Sequence, residues 1–490
     1  MSDLPRGWIK ASGDDLFSSV RGVTYSKSDS SPTPGDGLVP ILRANNIVGG
    51  GITTDDLVFV PAKCVSPEQN LQDGDLLIAS SSGSRTVVGK AATARDDDRI
   101  YAFGAFCTVA RPRTGDLGRW LAAYSRSRAY RHYVEKVALG ISINNLRGSD
   151  LKAIPIPVAP LPEQRRIVTK IDSLTGKSRR ARDHLDHIPR LVEKYKQAIL
   201  AAAFRGDLTR EFNESKRPNK AEVDICKKAL CARINIRPWK NSNEISKVHE
   251  GAPERWLRCY VGDVVAHRSG VAFKSGDFTK TGTQVVRLGN LHNGIFDLNR
   301  SPVFLKNVDQ YKAFGGEAGD VLVAQTGTRF KRDYGHFIVL KDDHRGILIN
   351  QRIACLSPTE LLNPDFLKLF SHLGAFKDHF FGHETGGVNQ GNVGLAGIMD
   401  APIALPSRLE QDVIVSRLHA AFSWIDRLAS DARSSRKLVD CLDQSVLAKA
   451  FRGELVPQNL ADEPASALLD RIRAERTAAP KTKRGRKKIT

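Results

Sequence analysis

The sequence predicts an α+β chain: two similar α/β domains separated by two long antiparallel coiled-coil helices, an internal repeat of pseudo-two-fold character. Three observations carry this. Residues 155–208 and 402–455 repeat each other at a constant offset of 247, from PIPVAPLPEQ against PIALPSRLEQ to AFRGDL against AFRGEL. A gapless repeat of this length sets the architecture before any single element is considered. Within each copy, apolar residues recur four and three apart over several heptads, the pattern of a helix seam. The stretches ahead of each copy also match, but with offsets drifting between 244 and 248. Such drift fits a shared scaffold whose loops differ in length.

The seam of copy one runs through Ile167, Ile171, Leu174, Leu185, Ile188 and on to Tyr195. That of copy two runs through Ile414, Leu418, Ile425, Leu428 and Leu442. Pro162 suits a first helical turn, and Gly206 and Gly453 suit left-handed residues at the helix ends. Pro189 removes a helical hydrogen bond and predicts a bend in copy one only, since copy two has Arg436 there. About 40 helical residues make a rod of about 60 Å. Two ordinary core helices are the plainer alternative, but core helices seldom keep one seam this long or recur without gaps.

Taken in order, 1–154 reads as a first globular domain. VPILRANNI, DLVFVP, GDLLIAS, TVVGKAA and FGAFCTVARP have strand character, and GDLGRWLAAYSRSRAYRHYVEKV is helical. The first helical spacer, 155–208, follows, then a polar linker over 209–250 whose apolar content is thin. Residues 251–401 repeat the first domain. Trp8 answers Trp256, LRANNI answers VRLGNL, DGDLLIASSSG answers AGDVLVAQTG, and LGISINNL answers GGVNQGNV. The second spacer occupies 402–458. In 459–490 a short amphipathic helix with Leu468, Leu469 and Ile472 on one side precedes the disordered basic run KTKRGRKK.

The chain has 490 residues and a formal charge of +20, with pI near 9.7. That balance favours a polyanionic partner, nucleic acid before membrane. The last twenty residues hold nine Lys or Arg against Glu475, so +12 remains elsewhere. The seven scattered cysteines make no metal-ligand pattern and read as reduced thiols. MSDLPRGW is no signal peptide and no 18-residue apolar run occurs, so a soluble cytoplasmic protein without a membrane partner is expected.

Two alike domains on two stiff helices suggest a ruler with a reader at each end. On duplex DNA it would contact two unlike half-sites in opposed orientation, separated by an unread gap. Short polar side chains on glycine-rich loops, flanked by arginines, are the candidate base readers. In the first domain these are Arg43, Asn45, Asn46, Ser81, Ser82, Ser84 and Arg85. In the second they are Arg287, Asn290, Gln325, Thr326, Thr328, Arg329 and Lys331. Arg pairs bidentately with guanine, Asn or Gln with adenine, and Ser or Thr serves either base. The competing reading makes the asparagines turn formers and leaves the arginines solvated. Arg21, Tyr25, Lys27, Lys90, Arg268 and Lys274 are candidates for phosphate positioning, which sets register without carrying sequence.

These features together resemble the specificity subunit of type I restriction–modification systems, end to end and in order. PLPEQ and RLEQ, the paired AFRGDL and AFRGEL, and EPASALLDRIRAER match that family's conserved regions. RGVTY, LRANNI, TTDDLVFVP, SSGSRTVVGK and FGAFCTVARP make the first domain similar to the enterobacterial K-12 type of target recognition domain. One departure is that many members have Gly-Gln-Lys before the last recognition segment. This chain has Ile141-Ser142-Ile143-Asn144 and Val388-Asn389-Gln390-Gly391. The resemblance implies a non-catalytic subunit whose domains each read half of a bipartite asymmetric double-stranded DNA site. Two methyltransferase subunits and two motor–nuclease subunits are the implied partners. S-adenosylmethionine, ATP and magnesium would be used by those chains, with no cofactor on this one.

Enzyme readings of the chain itself fit less well. Asn363-Pro364-Asp365-Phe366 lacks the second proline of an amino-methyltransferase loop, and a helix cap explains it. GSRTVVGK has one residue too many for a phosphate loop, with Ala91 where Ser or Thr should follow. HFFGH lacks the glutamate of a zinc-protease helix. A basic scaffold for RNA or membranes would not need two unlike loop sets. Arg484-Gly485-Arg486 is similar to a minor-groove hook, though a solvated charge run adding phosphate attraction accounts for it.

Overall fold

The computed structural model describes residues 4–138, 144–212, 217–240, 251–292, 294–344 and 346–478. Two compact units emerge, one from 1–186 with 433–490 and one from 187–432. The first unit is discontinuous in sequence and the second continuous, because each long helix is divided between them.

In the first unit a four-stranded antiparallel sheet runs in the order Phe17–Arg21, Cys107–Pro112, Leu76–Ala79, Ala91–Thr93. Every residue of Leu76–Ala79 is buried, which is why that strand is a continuous apolar run and not an alternating one. A second sheet orders Ala102–Phe103, Leu38–Leu42 and Val58–Pro61. A short ladder pairs Ser81 with Asn145 and Ser82 with Asn144. Helix Gly115–Ser125 places Trp120 and Tyr124 beneath the main sheet, edge-on to Phe451 at 4.9 and 5.3 Å. Phe451 thus enters this core from the far end of the chain.

The second unit repeats the plan. Its main sheet orders Val265–Ser269, Ile353–Pro358, Val321–Ala324 and Phe337–Val339. Phe204 packs on Phe366 at 4.8 Å and Phe370 at 6.1 Å, as Phe451 does on Trp120 and Tyr124. The roots of the helices match too. Trp8 Nε1 donates to Glu163 and Trp256 Nε1 to Glu410, each at 3.1 Å. These tryptophans are buried, so their N–H groups need a partner, and the PEQ and LEQ motifs provide it.

The long helices span Leu161–Phe204 and Arg408–Ala450. They pair antiparallel within each unit. Arg182 meets Asp440 and Asp443, and Arg436 meets Asp186, in the first; Lys196 meets Asp426 in the second. Gly206 and Gly453 follow the helices with φ of 71° and 74°, the left-handed geometry that favours glycine. Pro189 lies inside a helix that continues to Phe204.

The seam itself corrects the apolar count. Ile167, Ile171, Ile414, Leu418 and Ile425 are buried, and Leu174, Leu185 and Ile188 half-buried. Leu428 and Leu442, expected inside, are 44% and 57% exposed. Beyond Ile425 the inner row is Ala429, Ala432, Arg436, Val439, Asp443 and Val446. Two of its members, Arg436 and Asp443, are charged and pair across with Asp186 and Arg182; Leu428 and Leu442 each stand one residue before a member of this row and face solvent. Tyr195 is likewise exposed, and its neighbour Lys196 turns inward to Asp426 and over the Phe422 ring.

The stretch expected to be a polar linker holds a helix, Lys220–Arg233, opened by a reciprocal cap between Asn219 and Glu222. It buries Val223, Leu230 and Cys231, and its buried Lys227 donates to the Trp239 carbonyl at 2.9 Å. It is the counterpart of Ala465–Ala478, which buries Leu468, Leu469 and Ile472. There Arg473 and Arg476 pair with Asp15 and Asp14, and Ala465 N–H donates to the Gly7 carbonyl. Asn363 caps helix Pro364–Phe370, its Oδ1 accepting from Asp365 and Phe366 N–H. No described helix is long and apolar enough to cross a membrane.

Candidate nucleic-acid interface

Each unit carries a depression beside the turn that leads into the central strand of the main sheet and meets the short ladder, the two overlapping at Ser81, Ala105 and Phe106 of the first and Thr326, Gln351 and Arg352 of the second. In the first unit it measures about 640 Å³ and is lined by Thr24, Tyr25, Arg43, Asn45, Ser81, Ser82 and Phe106, among others. In the second it measures about 410 Å³ and is lined by Gln325, Thr326, Gln351, Arg352, Gln390 and Asn392, with Val393 and Gly394.

The backbone around both is clamped in the same way. Ser80 N–H donates to the Phe106 carbonyl at 2.8 Å and Gln325 N–H to the Arg352 carbonyl at 3.1 Å. A Cβ at Gly22 would sit 2.1 Å from the Gly104 carbonyl oxygen, and one at Gly270 2.1 Å from that of Asn350. Only glycine permits that approach. On the ladder, Ser81 Oγ donates to Asn145 Oδ1 at 2.8 Å and Thr326 Oγ1 to Asn392 Oδ1 at 3.0 Å. Both amides are therefore held in place from one side.

Several residues expected to read bases do other work. Asn46 and Asn290 are buried. The Asn46 amide accepts from Arg43 N–H at 2.8 Å and donates to the Thr53 and Asp55 carbonyls at 3.0 and 2.7 Å. Asn290 repeats this with Arg287, Asp297 and Arg300, each at 2.9 Å. These amides close a loop and cannot also present an edge to a base; the turn-forming role was the correct one. Arg43 Nη2 reaches the Asp56 carbonyl and carboxylate, both at 2.7 Å, and Asn45 shares that carboxylate at 3.1 Å. Arg287 Nη2 donates to the Ser301 carbonyl at 2.6 Å.

Arg268 is also reassigned. It lies half-buried on Val265–Ser269, donating to the Gly315 carbonyl and paired with the buried Asp320. The equivalent Asp75 is held by Arg111 at 2.7 Å, from the neighbouring strand. A carboxylate this deep needs a guanidinium, so Arg268 is a structural counter-ion and not a phosphate contact.

The remaining candidates stay near the surface. Ser84 and Arg85 are exposed, Ser84 Oγ lying 2.9 Å from Thr86 Oγ1 and the Arg85 carbonyl accepting from Arg131. Tyr25 is half-buried in the first depression, where desolvation raises its phenol pKa. Lys90 lines a separate hollow with Tyr130, Arg131 and Gln444. Arg21, Lys27, Lys274 and Lys331 are exposed. Thr328 N–H donates to Asp333 Oδ1 at 2.8 Å, shaping a turn whose Phe330 is 80% exposed. Arg329 spans from Glu384 to the Gly387 carbonyl, each at 3.5 Å. Ile141 to Ile143 and the Arg484 to Arg486 run lie outside the described residues.

Phe106, Gln351, Arg352, Gln390 and Asn392 were not among the expected readers. Aligning GAFCTVA with NQRIACL would have found Phe106 and Arg352, since the two segments enter equivalent strands.

Comparison with known proteins agrees with this geometry. The model of the type I restriction modification DNA specificity domain matches twice, at residues 5–184 and 253–430. The chain is 28% identical to the EcoKI specificity subunit of Escherichia coli K12, over 99% of each chain. It is 29% identical to the StySPI specificity subunit of Salmonella potsdam, again over 99% of each. Among solved structures, the HsdS subunit of Thermoanaerobacter tengcongensis aligns with TM-score 0.56 at 17% identity, covering 93% of this chain and 99% of that one. A chain from work on complex assembly and conformational transition of the type I R-M system aligns with TM-score 0.61 at 17% identity, over 93% and 100%. At that identity the structures speak to fold alone. The doubled domain match, falling on the two units that repeat each other's contacts, places this chain in the family of type I restriction–modification specificity subunits.

Proposed function

We propose that each unit reads one half of a bipartite, asymmetric double-stranded DNA site, and that the chain performs no chemistry itself. It directs adenine methylation by two methyltransferase subunits and ATP-dependent restriction by two motor–nuclease subunits, in the cytoplasm. S-adenosylmethionine is used by the first pair, ATP and magnesium by the second. The observation that carries the reading is the pair of equivalent depressions lined by different side chains. At the positions the two depressions share, one copy has Ser81, Ala105 and Phe106 and the other Thr326, Gln351 and Arg352, which suits two different base sequences. Arg85, Ser82, Ser84, Thr328, Arg329 and Lys331 remain candidates for base contact beside these depressions. Arg21, Tyr25, Lys27, Lys90 and Lys274 remain candidates for phosphate contact. The charge of +20 supplies the non-specific part of the affinity.

The test is to map methylated adenine in genomic DNA exposed to this chain together with its methyltransferase. Two short unlike sequences separated by a fixed unread gap are expected. A single contiguous or palindromic sequence would rule the proposal out.

A further inference from the structure

Resting on that reading, we infer that Phe106 and Arg352 are the paired specificity residues of the two units. In this assignment Arg352 selects a guanine in one half-site, and Phe106 selects a thymine at the corresponding step of the other. Their equivalence is set by the backbone. Cys107 pairs with Ala79, and Ile353 with Ala324, in the main sheets. Val23 bridges Gly104, and Val271 bridges Asn350, in parallel fashion. Two residues lie between those fixed points in each unit, and the one next to the strand is Phe106 in the first and Arg352 in the second.

Both side chains stand out from what surrounds them. Phe106 is 67% exposed, while Phe103 and Cys107 on either side are fully buried. A ring kept in water forgoes the stabilisation that burial would bring, and the fold gains no ring contact from it among the described residues. Arg352 is exposed, and no hydrogen bond or ion pair engages its guanidinium among the described residues. Other arginines of the same unit differ: Arg268, Arg287 and Arg329 are each tied to a carbonyl or a carboxylate. Arg352 is thus the guanidinium of the second depression left able to make a two-pronged contact. Around it Gln325, Gln351, Gln390 and Asn392 offer amides for adjoining base edges.

The base assignment follows from major-groove chemistry. A guanidinium matches the O6 and N7 acceptors of guanine, and an apolar ring with no donor favours the C5 methyl of thymine. A backbone turn clamped on both sides is what a base contact requires, since a displacement of about 1 Å defeats the pairing.

The experiment uses the full chain assembled with its methyltransferase, on DNA carrying the mapped site. R352A and R352K should each lose about 5- to 100-fold of discrimination at one guanine of one half-site. R352K should nevertheless keep its affinity for random DNA. Replacing that guanine by 7-deazaguanine should weaken the wild type and leave R352A unaffected. F106A and F106L should lose discrimination at one thymine of the other half-site, and deoxyuridine there should weaken only the wild type. Thermal unfolding matched to wild type establishes that each variant is folded. Equal loss on cognate and random DNA, or a recognition sequence unchanged in every variant, would overturn the assignment alone. A wild-type complex lacking any split recognition sequence would instead overturn the functional reading beneath it.

Discussion

Whether an asparagine in a loop reads DNA or builds the loop is decided by what its amide already touches. Asn46 and Asn290 spend their capacity on three backbone partners each. Residue type and neighbours are alike in the reading and the building roles, so the sequence alone left both open at these positions. Phe106 and Arg352 escaped notice for a related reason: nothing marks an exposed side chain until the strand that carries it is placed. Burial has a second consequence in the second unit. His372 is half-buried beside His336, with Lys377 and Lys368 nearby; desolvation first, then those charges, lower its pKa to about 4. The unfolded chain takes up a proton near pH 6.5 that the folded ring refuses. Stability of this unit should therefore fall as pH drops from about 6.5 to about 4, by up to about 3 kcal/mol from this group. Denaturant melts at pH 7, 6 and 5 on wild type and H372N check this; an equally steep loss in H372N would exclude His372 as the source.

Among the elements, the two long helices were the most legible, because a seven-residue rhythm without gaps leaves few alternatives. Their inner face was less so. Counting only apolar residues set the row through Leu428 and Leu442, whereas Arg436 and Asp443 occupy it and pair with Asp186 and Arg182. Leu442→Ser should accordingly change stability by less than about 0.5 kcal/mol. Val446→Ala, at a buried position four residues on, should cost about 1–3 kcal/mol. Chemical unfolding of the two variants side by side distinguishes this row from the one first expected. The helix at Lys220–Arg233 was missed because only four of its residues are buried. A narrow apolar stripe disappears in an average over a polar stretch, even though a cap marks its start. Leu230→Ala there and Leu469→Ala in its counterpart should each cost about 2–5 kcal/mol. Calorimetry should show the first lowering only the second unit's transition, and the second only the first unit's.

For the whole molecule, the order of domains and helices was readable from repetition, and the assignment of chain to core was not. Sequence suggested a domain followed by its own rod. Each compact unit instead combines one domain, the start of the helix that follows it, and the end of the other helix. Phe451 completes the core around Trp120, and Phe204 the one around Phe366. F451A should therefore lower the stability of a unit built mostly from residues 1–186, by about 3–5 kcal/mol. Limited proteolysis followed by mass spectrometry should find new cuts there and none in 251–401.

The contact of Ala465 with Gly7 brings the described segments from opposite ends of the sequence together. The matching place in the second unit, near Gly206 and Pro253, is crossed by continuous polypeptide. The two joints are alike, Pro5 lying against Gly453 as Pro253 lies against Gly206. A permuted chain, cut between Gly206 and Pro253 and joined across the first unit's junction, would keep each of these core contacts with its partner.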